Sequence, residues 1–167
     1  MVGVFTMPNG TTPSIMALPL IGFYCATKWA VEALHESLAH EVRPLGIKVT
    51  LVEPGAYATD FVKSGEIADA LEPYAILRKQ FLTHLVEMER GDPEATAEAV
   101  LKLVDTNDSS LRLGLGTSIL PRARDAYAER LATWESWQDV SNAAMGEPKK
   151  VTAAWIEQLV QEAQEQA

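Results

Sequence analysis

"FYCATKWAVEALHESLAHEVRPLGIKVTLVEPG", residues 23–55, decides how this chain is read. Tyr24 and Lys28 stand four apart at the start of a helical pattern. Ala26, Ala30, Ala33, Leu34, Leu38 and Val42 recur in it at three- and four-residue spacing, while Glu32, Glu36 and Arg43 take other faces. Pro44 and Gly46 end the helix. A β-branched run over residues 47–52 follows and stops at Pro54-Gly55. A nearly all-apolar run placed directly after a helix predicts a buried parallel strand.

Composition narrows the classes that remain. The chain has 167 residues, 47% hydrophobic and 22% charged, enough to bury one sizeable core. A net charge of −9 without a basic run argues against a nucleic acid partner or an anionic membrane surface. The single cysteine, Cys25, excludes an internal disulfide and any Cys/His metal cluster, so no metal is expected and a reducing, cytoplasmic setting is. The apolar residues 15–26 are too few to span a bilayer, contain Pro19, and lack a basic leader.

Outward from the quoted stretch, the first 22 residues hold Gly3, Pro8, Gly10 and Pro13 and read as loop, with residues 1–10 a leader of unassigned structure. Ile67, Leu71, Tyr74, Leu77, Phe81, Leu85 and Met88 keep helical spacing but are interrupted at Pro73, which predicts two helical pieces. "GDPEATAEAVLKLVD" opens a helix to about Val104, with Asp92 as cap, Pro93 in the first turn and Glu94 at the positive end. Residues 111–116, "LRLGLG", alternate as a strand, and the following "GLGTSI" lacks the third glycine of a dinucleotide fingerprint, so it reads as a strand end and turn. Pro121 opens a helix to about Val140, and an acidic amphipathic tail places Val151, Trp155, Leu159 and Ala163 in one row. Helices alternating with strands give an α/β chain, yet two strands do not make a stable sheet. A further strand must come from the N-terminal residues or from another chain.

The residues alone also suggest chemistry. Tyr24 and Lys28 share a helix face, and a nearby ammonium favours the phenolate, so the tyrosine can exchange a proton with an alcohol or carbonyl oxygen. A chance pair on a helix is the competing reading of the spacing by itself. The Y-x-x-x-K motif opening a long helix, the strand after Gly46, and Pro54-Gly55-Ala56-Tyr57-Ala58-Thr59 as P-G-x-x-x-T together resemble the second half of the short-chain dehydrogenase/reductase family. The resemblance runs from residue 11 to about 145.

It implies a partial doubly wound Rossmann-like α/β fold over residues 11–146, with residues 147–167 as a tail helix, and NAD or NADP as cofactor. Hydride would pass between nicotinamide and a small-molecule alcohol or carbonyl substrate. Tyr24 would be the acid/base, and Lys28 would bind the ribose and lower the tyrosine's pKa. Pro54, Gly55, Ala56 and Tyr57 would line the nicotinamide, and the Thr59 hydroxyl would contact the cofactor. Thr11, thirteen residues before Tyr24, stands where the family has its substrate-binding serine. Local alternatives stay open: a tight turn at Pro54-Gly55, a helix cap at Thr59, a loop polar residue at Thr11, and for residues 61–90 either a substrate lid or core packing.

The match departs from the family upstream. Only 23 residues precede Tyr24, whereas one glycine-rich βαβ unit needs about thirty. That unit, the catalytic asparagine and the residue choosing NAD over NADP are expected to be missing, as in a truncated or partial reading frame. The alternative function is a non-enzymatic interaction module or inactive fragment, forming a homo- or hetero-oligomer through the helix of residues 24–42.

Overall fold

In a computed structural model of the protein, residues 2–6, 14–60, 68–69, 71–148 and 153–165 are described, the first of these stretches by its backbone. Their order is β1 (Val2–Thr6), α1 (Gly22–Val42), β2 (Lys48–Pro54), α2 (Ala75–Glu87), α3 (Thr96–Asp105), β3 (Arg112–Leu115), α4 (Ile119–Ser136), α5 (Gln138–Met145) and α6 (Ala154–Glu165). The chain divides into two compact units, residues 1–128 and 129–167.

The first unit is built on a parallel sheet of order β1-β2-β3. Val2 to Thr6 pair with Lys48 to Val52, and Leu51 to Pro54 pair with Arg112 to Leu115. The strand over Val2–Thr6 corrects the loop reading of the leader. Its β-branched and aromatic residues outweigh Gly3 once β2 offers an edge, and it supplies one of the neighbours that two strands lacked. β2 extends two residues beyond the predicted run because Glu53 and Pro54 find partners in Gly114 and Leu115.

Alternation along β2 sorts its side chains to two faces. Val52 lies with Leu115 and Leu103 of α3 in a buried cluster joined by Tyr57, Ala99 and Leu113. Leu51, Glu53 and their register partners Arg112 and Gly114 share the opposite face, the one α1 packs against. Thr50, fully buried, satisfies its hydroxyl by donating to the Ser110 carbonyl at 2.6 Å.

Helix α1 is rich in alanine and leucine, good helix formers, and gives way to a short 3₁₀ turn at Arg43–Leu45. Gly46, at φ 73°, takes the left-handed position that closes it. At its start Leu20 is left-handed without being glycine (φ 69°), and the turn lets the Ile21 carbonyl accept the Cys25 N–H at 2.9 Å. The face α1 turns inward differs from the expected one. Cys25 and Glu32 are buried, whereas Ala26, Ala30, Ala33 and Leu34 are exposed. A charged partner on the sheet, described below, draws Glu32 in.

Asp92 caps as expected, its carboxylate accepting the Glu94 N–H at 2.9 Å, and a 3₁₀ turn at Pro93–Ala95 leads into α3. Of the two helical pieces expected in residues 61–90, the second is a 3₁₀ turn at Glu72–Tyr74 running into α2; most of the first lies outside the described residues. In the second unit, Trp134, Trp137, Trp155 and Leu159 are exposed. No described helix is long and apolar enough to cross a membrane.

Leu51 has no solvent exposure at all and sits mid-sheet. Leu51→Ala is expected to cost about 2–5 kcal/mol, read as a lower urea midpoint at unchanged slope.

Candidate active site

A helix joining two parallel strands must run back against them, so the first turns of α1 lie at the edge where the strands end. β2 releases its loop, residues 54–59, at that same edge. In open parallel sheets ligands bind at the carboxyl ends of the strands. The topology therefore brings the Tyr24–Lys28 pair and the Pro54–Thr59 loop to one end of the sheet.

Tyr24 and Lys28 are half-buried, with the Lys28 Nζ 5.3 Å from the centroid of the Tyr24 ring. That distance is within reach of a cation–π attraction. Burial holds the Lys28 ammonium below its ordinary pKa. Cys25 between them is buried, and its Sγ accepts the Leu18 N–H at 3.4 Å, a packing role.

The loop after β2 is tied down residue by residue. The Gly55 N–H donates to the Leu115 carbonyl at 2.8 Å, and a Cβ there would lie 3.0 Å from Ser118 Oγ and 3.2 Å from the Leu115 oxygen. Ala56 accepts from the Gly91 N–H and the Ala58 N–H donates to the Gly91 carbonyl, both at 2.9 Å. The Tyr57 ring lies against Gly91, where a Cβ would approach it to 2.9 Å, with its hydroxyl near Gly116. Thr59 N–H donates to the Tyr57 carbonyl at 2.9 Å, and the exposed Thr59 borders a polar cavity with Ala58, Asp60 and Arg90. Several backbone groups of residues 55–58 are thus committed to holding the loop.

Beneath both features lies a charged cluster. From β3, Arg112 Nε donates to Glu32 Oε2 at 3.2 Å and its terminal nitrogen donates to Glu36 Oε2 at 3.0 Å, while Glu53 Oε1 is 3.7 Å from Nε. Burial, aided by the facing Glu32 carboxyl and resisted by Arg112, pushes the Glu53 pKa up to about 7. Burial alone would lower the Arg112 guanidinium, but the Glu36 hydrogen bond and the charges of Glu32, Glu36 and Glu53 raise it above its ordinary value.

Thr11 lies outside the described residues. Tyr24 meets Lys28, and Pro54 to Thr59 form one pinned loop. Sequence reasoning missed Glu32, Glu53, Arg112 and Gly91. Glu53 alone carried a signal, a carboxylate inside an apolar strand.

The profile of the family described as short chain dehydrogenase matches residues 11–69. Oxidoreductase BOA17 of Botryotinia fuckeliana is 32% identical over 130 residues, 75% of this chain and 47% of that protein. Human 17-beta-hydroxysteroid dehydrogenase type 1 is 32% identical over 125 residues, 70% of this chain and 38% of that protein. A crystal structure of a short-chain dehydrogenase from Streptomyces avermitilis superposes with a TM-score of 0.72 at 30% identity, covering 86% of this chain and 52% of that one. The chain belongs to the short-chain dehydrogenase/reductase family. It spans less than half the length of the two curated relatives named, and as a short-chain dehydrogenase/reductase chain it matches part of the Rossmann fold.

Because the Tyr57 ring occupies the space beside Gly91, Gly91→Ala should destabilise this short-chain dehydrogenase/reductase chain by about 1–3 kcal/mol. Adding Tyr57→Ala should recover part of that loss, a coupling measured by a double-mutant cycle of urea unfolding.

Proposed function

We propose that this chain carries the proton-transfer side of an NAD(P)-dependent oxidoreductase acting on a hydrophobic alcohol or ketone. The observation that carries the reading is the Tyr24–Lys28 contact, at the end of the sheet where Pro54 to Thr59 emerge. The donor set suits the nicotinamide end of a dinucleotide. Lys28 would bind the ribose hydroxyls, the Pro54–Tyr57 backbone would border the ring, and the Thr59 hydroxyl would meet the carboxamide or phosphate side. When bound, the nicotinamide supplies or accepts the hydride.

The rest is work for the chain's own side chains. Tyr24 Oη donates a proton to the substrate oxygen in reduction and takes it back in oxidation. Lys28, against the ring, favours the phenolate and brings the tyrosine nearer to neutral pH. Thr11 would hold the substrate oxygen through its hydroxyl. A relative named as a hydroxysteroid dehydrogenase favours a large apolar substrate, as does the apolar surface of Leu82 and Val86 on α2. One observation favours the interaction-module alternative: α1 leaves Phe23 95% exposed and Leu34 66% exposed, a face suited to a second chain.

Titrating NADH and NADPH against the purified chain, with nicotinamide fluorescence as readout, should give saturable binding of one or both. Tyr24→Phe should keep that binding and the circular dichroism spectrum while cutting turnover of hydrophobic ketones by at least about 100-fold. Absence of binding in a chain that forms a defined oligomer supports the module instead.

A further inference from the structure

We propose that Glu32 and Glu53, bridged by Arg112, form a proton-dependent latch that sets the spacing between α1 and the Pro54–Thr59 loop. Both glutamates then act as positioning residues for the nicotinamide end of the site. The inference rests on the cofactor reading above and adds a pH control to it.

Position comes first. Glu32 follows Lys28 by one helical turn on the same face, and Glu53 immediately precedes Pro54. The latch therefore joins the helix bearing Tyr24 and Lys28 to the strand that releases the loop, one turn below the chemistry. Glu32 and Glu53 are 8% and 7% exposed, so neither charge is well hydrated.

Hydrogen bonding comes second. Arg112 is committed to Glu32 Oε2 and Glu36 Oε2, and its 3.7 Å separation from Glu53 is too long for a hydrogen bond. Glu32 Oε1 is buried and, among the described residues, has no hydrogen-bond donor. A proton on Glu53 supplies one, giving a carboxyl–carboxylate pair that draws α1 onto β2.

Charge comes third. Among the described side chains, the charged groups that act on Glu53 are Glu32 from α1 and Arg112 from β3, with Glu36 of α1 bound across Arg112; from α4 the apolar Ile119 lies against Gly114. Three carboxylates thus share one guanidinium. The shared proton removes the excess charge from the buried pair, and its loss sets two carboxylates against each other.

The sign follows from Glu53, whose carboxyl is pushed up to about 7. A carboxyl raised in the folded state adds stability that is complete below the ordinary carboxylate range and is lost as pH rises through about 7. The latch is closed in mild acid and open in mild base.

The test compares the native chain with Glu53→Gln, whose amide can donate to Glu32 without titrating, and with Glu32→Gln in case the first variant folds poorly. The native melting temperature should fall between about pH 5.5 and 8.5, and the Glu53→Gln profile should be flatter. Over the same range the NADH Kd should rise about five-fold in the native chain and less than about two-fold in Glu53→Gln. Reading binding keeps Tyr24's proton chemistry out of the measurement. Parallel Kd profiles in native and variant chains would overturn the latch while leaving the cofactor reading intact. Failure of every protein to bind NADH at any pH would overturn the cofactor reading and the positioning role with it.

Discussion

The backbone N–H and C=O groups of a strand point alternately to its two edges, so a buried strand needs a partner on each, and β2 is the strand on which that constraint falls. It pairs with β1 over five residues and with β3 over four, and its residues 49–53 are all buried. Everything at the candidate site takes its position from this strand. α1 packs on one face of it, α3 reaches the other through Leu103, and the loop bearing Pro54 to Thr59 is its direct continuation.

The parts of this arrangement that local chemistry dictates were legible from the residues. α1 was announced by alanine-rich periodicity and stopped by Pro44 and Gly46; Asp92 and Pro93 marked the start of α3; a β-branched run marked β2. The family resemblance rested on Tyr24, Lys28 and the Pro54–Thr59 loop, and the comparisons support that ancestry.

What escaped the sequence depends on partners distant along the chain. β1 is short, contains Gly3 and runs into Pro8, Asn9 and Gly10, so its β-branched and aromatic residues become a strand only where β2 offers an edge. The inward face of α1 was misassigned because hydrophobicity alone places Glu32 outside. Arg112, 80 residues later, reverses that choice. An ion pair across such a separation leaves no periodic trace in the sequence. Gly91 was equally silent, since its need for a missing side chain arises only when the Tyr57 ring arrives beside it.

The two hydrogen bonds between Gly91 and residues 56 and 58 have an evolutionary reading. They fasten the two ends of the segment between Thr59 and Gly91 side by side. Its length and composition can change without disturbing the register of any strand. A segment anchored in this way at both ends is where a lineage can revise what it recognises while the framework beneath stays constant.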